Sequence, residues 1–358
     1  MMSDLHADTA TNRRCVEEFS ALASKDDVIL LAGDISDDLG TVQWVFERLS
    51  DSYGAVVYVP GNHELWLRPS DRATGLADSW AKLQAIWALA ADAGVRTRPF
   101  LLHDRVWIVP LLSWHHRSWD VEPDVVGRKH AWAFSDYTCC EWPEELMGDD
   151  ANVPGNASLA QWMDAWNEGE AMDAMRSGRQ PWHDVISLSH FLPFQELIPE
   201  KRFLFFPELP TVSGSVPLSR RVQDLQPDLH VFGHSHFAWD ATIRGTRFVQ
   251  APLCTARERS RRLASIKVGL ERTPDDAQPS EWLPVPLYQL PLTRSRDAWS
   301  MERRSKGWSL LRSGAVPPQY TAAWSEYYKR HARDPENVDL APWVQQRRAR
   351  RARAKSNQ

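Results

Sequence analysis

Five clusters of polar side chains stand where apolar runs of this chain end, and their types suit metal binding and proton transfer. Gly61-Asn62-His63-Glu64 follows the run 55–59 and Pro60, so a buried strand closing in a sharp turn would present an amide, an imidazole and a carboxylate in a row. Ligands of open α/β sheets bind at such carboxyl ends, which makes Asn62 a candidate metal ligand, His63 a proton donor or phosphate binder, and Glu64 its orienting partner. Asp4 and His6 are two residues apart; at a strand end they point the same way and make a carboxylate-plus-imidazole metal pair. His234 and His236 repeat that spacing after Gly233, and two imidazoles on one side are a metal signal rather than a packing one. Gly33 lets the chain turn so that Asp34 faces outward, with Asp37 three residues on, and His190 ends the run 185–189.

The elements that must carry these groups follow from periodicity. Runs 28–32, 55–59, 106–112, 185–189 and 229–232 are apolar-rich and of strand length, which predicts buried parallel strands. Helices are predicted over 9–24, 39–50, 76–93 and 158–177, the third with Trp80, Leu83, Trp87 and Ala90 on one core-facing side. A hairpin is expected over 242–250, closing a catalytic core near Pro252, within a domain of residues 1–255. The strand, polar turn, helix alternation argues for βαβ units.

Residues 113–156 are irregular, acidic and Trp-rich, and a long insertion of this kind is read as functional. His115, His116 and Arg117 at its start, with Lys201 in a later Pro-rich segment, are the candidate substrate contacts. The region 256–343, with aromatic anchors such as Trp282, Trp299, Trp308, Tyr320, Trp324, Tyr328 and Trp343, is expected to pack back on the body as a C-terminal extension. The Arg-rich stretch 344–358 is expected to be a disordered, solvated tail.

At 358 residues, 43% hydrophobic and 25% charged, the composition is that of an ordinary globular protein, though 18 Trp is a high count. The net charge of −5 hides an asymmetry, since residues 294–358 carry 15 Lys and Arg against 6 Asp and Glu, and the rest carries 27 against 41. An acidic body does not favour a nucleic-acid groove, while the basic tail keeps nucleic acid as a partner to consider. Four Cys without finger spacing, two of them adjacent, argue for a reducing compartment. No apolar run of about 18 residues and no leader-like opening is seen, so no membrane association and a cytoplasmic location are expected.

Taken in order, Asp4-x-His6, Gly33-Asp34-x-x-Asp37, Gly61-Asn62-His63-Glu64, His190 and Gly233-His234-x-His236 resemble the calcineurin-like metallophosphoesterase superfamily over residues 1–255. Ser189-His190-Phe191-Leu192-Pro193 and Gln250-Ala251-Pro252-Leu253, followed by Arg257-Glu258-Arg259, are also similar to an uncharacterised plant and algal branch of it. The resemblance implies a four-layer α/β/β/α sandwich with a Trp-rich insertion and a C-terminal extension. It implies one metal on Asp4, His6, Asp34 and His236, and a second on Asp34, Asn62, His190 and His234, bridged by Asp34. Mixed carboxylate and imidazole donors suit Mn, Fe or Zn. Such a pair implies a bridging hydroxide for in-line attack on phosphorus, with His63, held by Glu64, at the leaving oxygen and Asp37 in support.

Two departures stand out. Only Met1, Met2 and Ser3 precede Asp4, so the first strand is stunted, and either the chain starts further upstream or Asp4 and His6 are held less firmly than usual. The Arg residues that phosphoprotein phosphatases place after Gly-Asp-x-x-Asp and before Gly-Asn-His-Glu are here Asp38 and Pro60. The reading is therefore a dinuclear-metal hydrolase of phosphoric esters, with a phosphomonoesterase first, a phosphodiesterase or nuclease second, and an inactive scaffold third.

Overall fold

The computed structural model describes residues 1–126, 134–147, 157–259, 284–288 and 323–356. Two sheets share one apolar core. The smaller pairs β1 (Val28–Ala32) in parallel with β2 (Ala55–Val59), each buried on four of five residues. The larger has the order β3-β4-β5-β6-β8-β7, from β3 (Phe100–Leu102), β4 (Val106–Pro110), β5 (Asp184–Leu188), β6 (Leu229–Val231), β7 (Trp239–Ile243) and β8 (Thr246–Gln250). Its inner pairings are parallel and its two edges antiparallel. Parallel strands buried on both faces need continuous apolar runs, which is why these were legible.

Helices α1 (Ala10–Ala21), α2 (Leu39–Ser52), the short α3 (Pro69–Ala73) and α4 (Ser79–Asp92) lie on the small-sheet side. Two four-residue turns in the insertion, α5 (Asp136–Cys139) and α6 (Glu144–Met147), precede α7 (Ala157–Ala165), α8 (Glu170–Gly178) and α9 (Val216–Leu225) on the large-sheet side. This is the expected four-layer arrangement. The single helix predicted over 158–177 is two, because Gly169 takes φ +117° between them. α9 and β3 had no sequence expectation. Trp80 and Trp87 of α4 pack edge to face, and the rings of Trp162 in α7 and of Trp166 just past its end lie within 5.5 Å of them.

The stunted first strand is compensated. Met2 bonds Leu30 and Ala32 at 3.0 Å while Ser3 bonds Ala251 and Leu253, so these two residues bridge both sheets. Asp4 and His6 are accordingly buried rather than loosely held. The described part of the C-terminal extension packs on the body: Met1 and Val285 exchange backbone hydrogen bonds, Tyr288 donates to Asp184, and Trp324 and Tyr328 lie against one another. Its helix α10 (Ala323–Tyr328) contacts β7. Trp282, Trp299, Trp308 and Tyr320 lie outside the described residues. The tail expected to be disordered is helical, as α11 (Pro342–Ser356), with Val344 buried and the Arg348 guanidinium donating to the Phe205 carbonyl.

His230, inside β6, is clasped by Ser187 and Ser189 hydroxyls at 2.8 and 3.0 Å. Burial lowers its pKa from 6.5 to about 3. The unfolded chain therefore binds a proton below pH 6.5 that the folded chain refuses, and stability falls as pH drops from 6.5 towards 3. In chelator-treated protein, His230→Asn is expected to flatten the pH 7 to 5 loss of unfolding free energy by up to about 1.4 kcal/mol per unit. Urea titrations with parallel pH slopes for both proteins would refute this.

Candidate metal centre

The side chains of the five clusters converge at the carboxyl ends of β1, β2, β5 and β6. His6 Nε2 lies 3.1 Å from His236 Nε2, and His236 Nε2 lies 3.4 Å from Asp4 Oδ1. Ligand atoms of Asp4, His6, Asp34 and His236 all fall within 4.8 Å of one another. On the other side, Asn62 Oδ1 is 3.1 Å from His190 Nε2 and 3.0 Å from His234 Nδ1. Asp34 reaches both groups, with Oδ1 3.4 Å from His190 Nε2 and Oδ2 4.0 Å from His6 Nε2. His63 Nε2 is 3.8 Å from Asp34 Oδ2, and its half-buried ring lies on Trp66 with centroids 3.7 Å apart.

Backbone strain is concentrated here. Asp4, His6, Asp34, His234 and His236 all have φ between 42° and 73°, a region non-glycine residues seldom enter and which persists where surrounding contacts over-determine it. The glycines of the motifs serve close approach. A Cβ on Gly61 would come within 2.2 Å of Asp34 Oδ1, and one on Gly33 within 2.4 Å of His190 Nδ1.

Electrostatics follow from the dense packing of these groups. Burial holds His6 and His234 down to about 3, so both imidazoles are neutral and can offer a lone pair. Burial opposes ionisation of Asp34, but His190, His63, His6 and His234 outweigh it and hold its carboxyl below the usual range. Burial would lower His190 too, yet Asp34 and Asp4 raise it. His190 Nδ1 donates to the Ala32 carbonyl at 2.9 Å, which leaves Nε2 to face the cluster.

The expected role of Glu64 is corrected. Its carboxylate accepts from the backbone N–H groups of Asp34, Ile35 and Gly61 at 3.0, 2.5 and 2.8 Å, stapling two motif loops together instead of holding His63. Trp66 supplies the support assigned to Glu64. Glu64→Gln puts an NH2 donor among three donors, and a loss of about 2 kcal/mol is expected on thermal unfolding; unchanged stability would remove the staple. The Asp37 carboxylate pairs with Arg68, which also faces Asp8 and Asp38, each at 3.5 Å. Asp38 caps α2 by accepting from Thr41 N at 2.8 Å.

The substrate contacts are not brought together. Lys201 is buried, with its ammonium 2.7 Å from Asp120 and 2.9 Å from Asp124, so it is a structural ion pair and not an open phosphate clamp. His115 is buried as well, 3.2 Å from Asp136. His116 pairs with Ser118 and lines a cleft of about 750 Å³ between α7, α8 and α9, whose lining includes none of the candidate ligands. Arg117 is exposed on the same turn.

Three supporting residues had no sequence assignment. Trp66 stands three residues after His63, a spacing that a helical turn would have revealed. Glu258 lies 3.0 Å from His236 Nδ1 and accepts from Thr255 N, and it belongs to the Arg257-Glu258-Arg259 segment. Asp136 accepts from Asn62 Nδ2 at 2.8 Å and Trp66 Nε1 at 2.7 Å, and no spacing marks it.

A converging set of carboxylates, imidazoles and one amide at strand ends of a four-layer sandwich defines a metallophosphoesterase. A model of the calcineurin-like phosphoesterase family matches residues 1–238, and the chain belongs to that family, a metal-dependent hydrolase of phosphoric esters. It is similar to acyl-carrier-protein phosphodiesterase PptH of Mycobacterium tuberculosis (strain ATCC 25618 / H37Rv), at 34% identity over 70 residues, 20% of this chain. That match spans 21% of the relative's length. The crystal structure of Phosphopantetheinyl Hydrolase (PptH) from Mycobacterium tuberculosis has the same fold, with a TM-score of 0.54 and 21% identity over 73% of this chain and 90% of that one. Among the described residues, no helix is long and apolar enough to cross a membrane.

Proposed function

We propose that this chain hydrolyses phosphodiesters at a two-metal centre held by Asp4, His6, Asp34 and His236 on one side and by Asp34, Asn62, His190 and His234 on the other. The donor chemistry fits the group, since imidazoles, carboxylates and a carboxamide suit Mn, Fe or Zn. The buried Nε2 of His234 has no hydrogen-bond partner, and ligand nitrogens of His6 and His236 face each other, an arrangement that a shared cation would relieve. When bound, the ions supply charge neutralisation on phosphoryl oxygens and acidify water at neutral pH. Asp34 holds the two sides in register, and Glu258 and the Ala32 carbonyl orient His236 and His190. His63, backed by Trp66 and open to solvent on one side, gives a proton to the departing oxygen. Residues 1–255 act as the catalytic unit, steadied by the extension.

The monoester preference expected from sequence yields here to a diester. The observation that carries this is the state of Arg68, whose guanidinium is occupied by Asp8, Asp37 and Asp38. A monoester dianion brings a second negative charge that a cationic clamp must meet, whereas a diester brings one. The phosphodiesterase named above cleaves the same bond class, which makes protein-linked diesters the natural substrates to try. With Mn-loaded protein, kcat/KM on bis-p-nitrophenyl phosphate should exceed that on p-nitrophenyl phosphate. The reverse order restores the monoesterase.

A further inference from the structure

Asn62 can serve a cation only through its oxygen, so something must decide which end of its amide faces the cluster. Asp136 is placed to do so. Its carboxylate accepts only, and its Oδ1 takes Asn62 Nδ2 at 2.8 Å, which turns Asn62 Oδ1 towards His190 and His234. The same oxygen takes Trp66 Nε1 at 2.7 Å, fixing the indole that lies against His63. The other oxygen lies 3.2 Å from His115 Nε2. Asp136, His115 and Asn62 are 6%, 1% and 5% exposed, so water offers these groups little competition. Asp136 stands in α5 and His115 just after β4, which means that the insertion reaches back and completes the centre from outside the motifs.

We propose that Asp136 is a positioning residue that sets the amide of Asn62 for metal binding, with His115 beside its second oxygen. The inference rests on the reading of Asn62 as a ligand. It differs from a role in fold maintenance by what it predicts for the metal.

The test is a cobalt(II) titration of the full-length, metal-stripped chain, followed by visible absorption and by bound-metal content. Asp136→Ala and Asp136→Ser are both expected to bind the weaker of two ions 10–100-fold less tightly, in the range set by losing a partner of a ligand. Asp136→Asn keeps an acceptor oxygen in place and is expected to stay within about threefold of the parent, because orientation and not charge is at stake. In an Asn62→Ala background, adding Asp136→Ala should weaken binding no further, as two residues acting through one contact are non-additive. Near-UV dichroism identifies a variant that fails to fold, in which case the Ser variant and the Asn62→Ala comparison carry the decision. Wild-type affinity in a folded Ala or Ser variant overturns the proposal, as does an Asn variant as weak as Ala. A parent chain that binds no cobalt overturns instead the two-metal reading beneath it.

Discussion

Asp34→Asn is expected to cost more than about 10²-fold in turnover, beyond the loss typical of an outer partner, and to leave fewer than two ions bound. Among the described contacts Asp34 is the carboxylate that reaches both ligand groups, through His190 on one oxygen and His6 on the other. The substitution is gentle on the backbone. Asn tolerates the φ of 57° that Asp34 adopts, and its side-chain oxygen can still accept the His63 N–H that Asp34 Oδ1 takes at 3.0 Å. The change therefore removes charge and little else. The histidines around it outweigh the burial cost of the Asp34 carboxylate, so the metal-free variant should melt below the metal-free parent while losing function. Metal analysis, steady-state kinetics and a thermal scan in chelator check the three parts. Two tightly held ions with normal turnover in Asp34→Asn would remove the bridging role.

His63→Ala is expected to lower kcat by about 10²–10⁴-fold while both ions stay bound. The ring sits at the edge of the cluster, 3.8 Å from Asp34 and 26% exposed, unlike the buried imidazoles of His6 and His190. Its removal forfeits the contact with Trp66, a stability loss of about 1 kcal/mol, and no proposed ligand. A proton donor matters most for a poor leaving group. The defect should thus be larger on an alkyl ester than on a nitrophenyl ester of the same phosphate, whose anion departs without help. Equal defects on both esters, or loss of metal from the variant, would take His63 out of this role.

The strands were legible nearly to the residue because a buried parallel strand must be an unbroken apolar run, as 28–32 and 55–59 are. Helix α9 was missed because its apolar positions follow a Pro-rich stretch that reads as loop, although Ser215 caps it and Pro217 opens it. The insertion had no periodicity to read, so its two short helices stayed hidden.

The sequence by itself determined the family, the order of the motifs and the candidate ligands, because each motif is a local object: a strand, a tight turn and the polar groups the turn presents. Tertiary structure alone decided what those groups lean on. Glu64 turned from partner of His63 to a staple of two loops, Lys201 from clamp to buried ion pair, and Asp136, 74 residues from Asn62, entered as the group that sets its amide. Spacing carries no trace of such pairings, since a hydrogen bond between distant segments depends on how sheets and insertion fold together and not on any period along the chain.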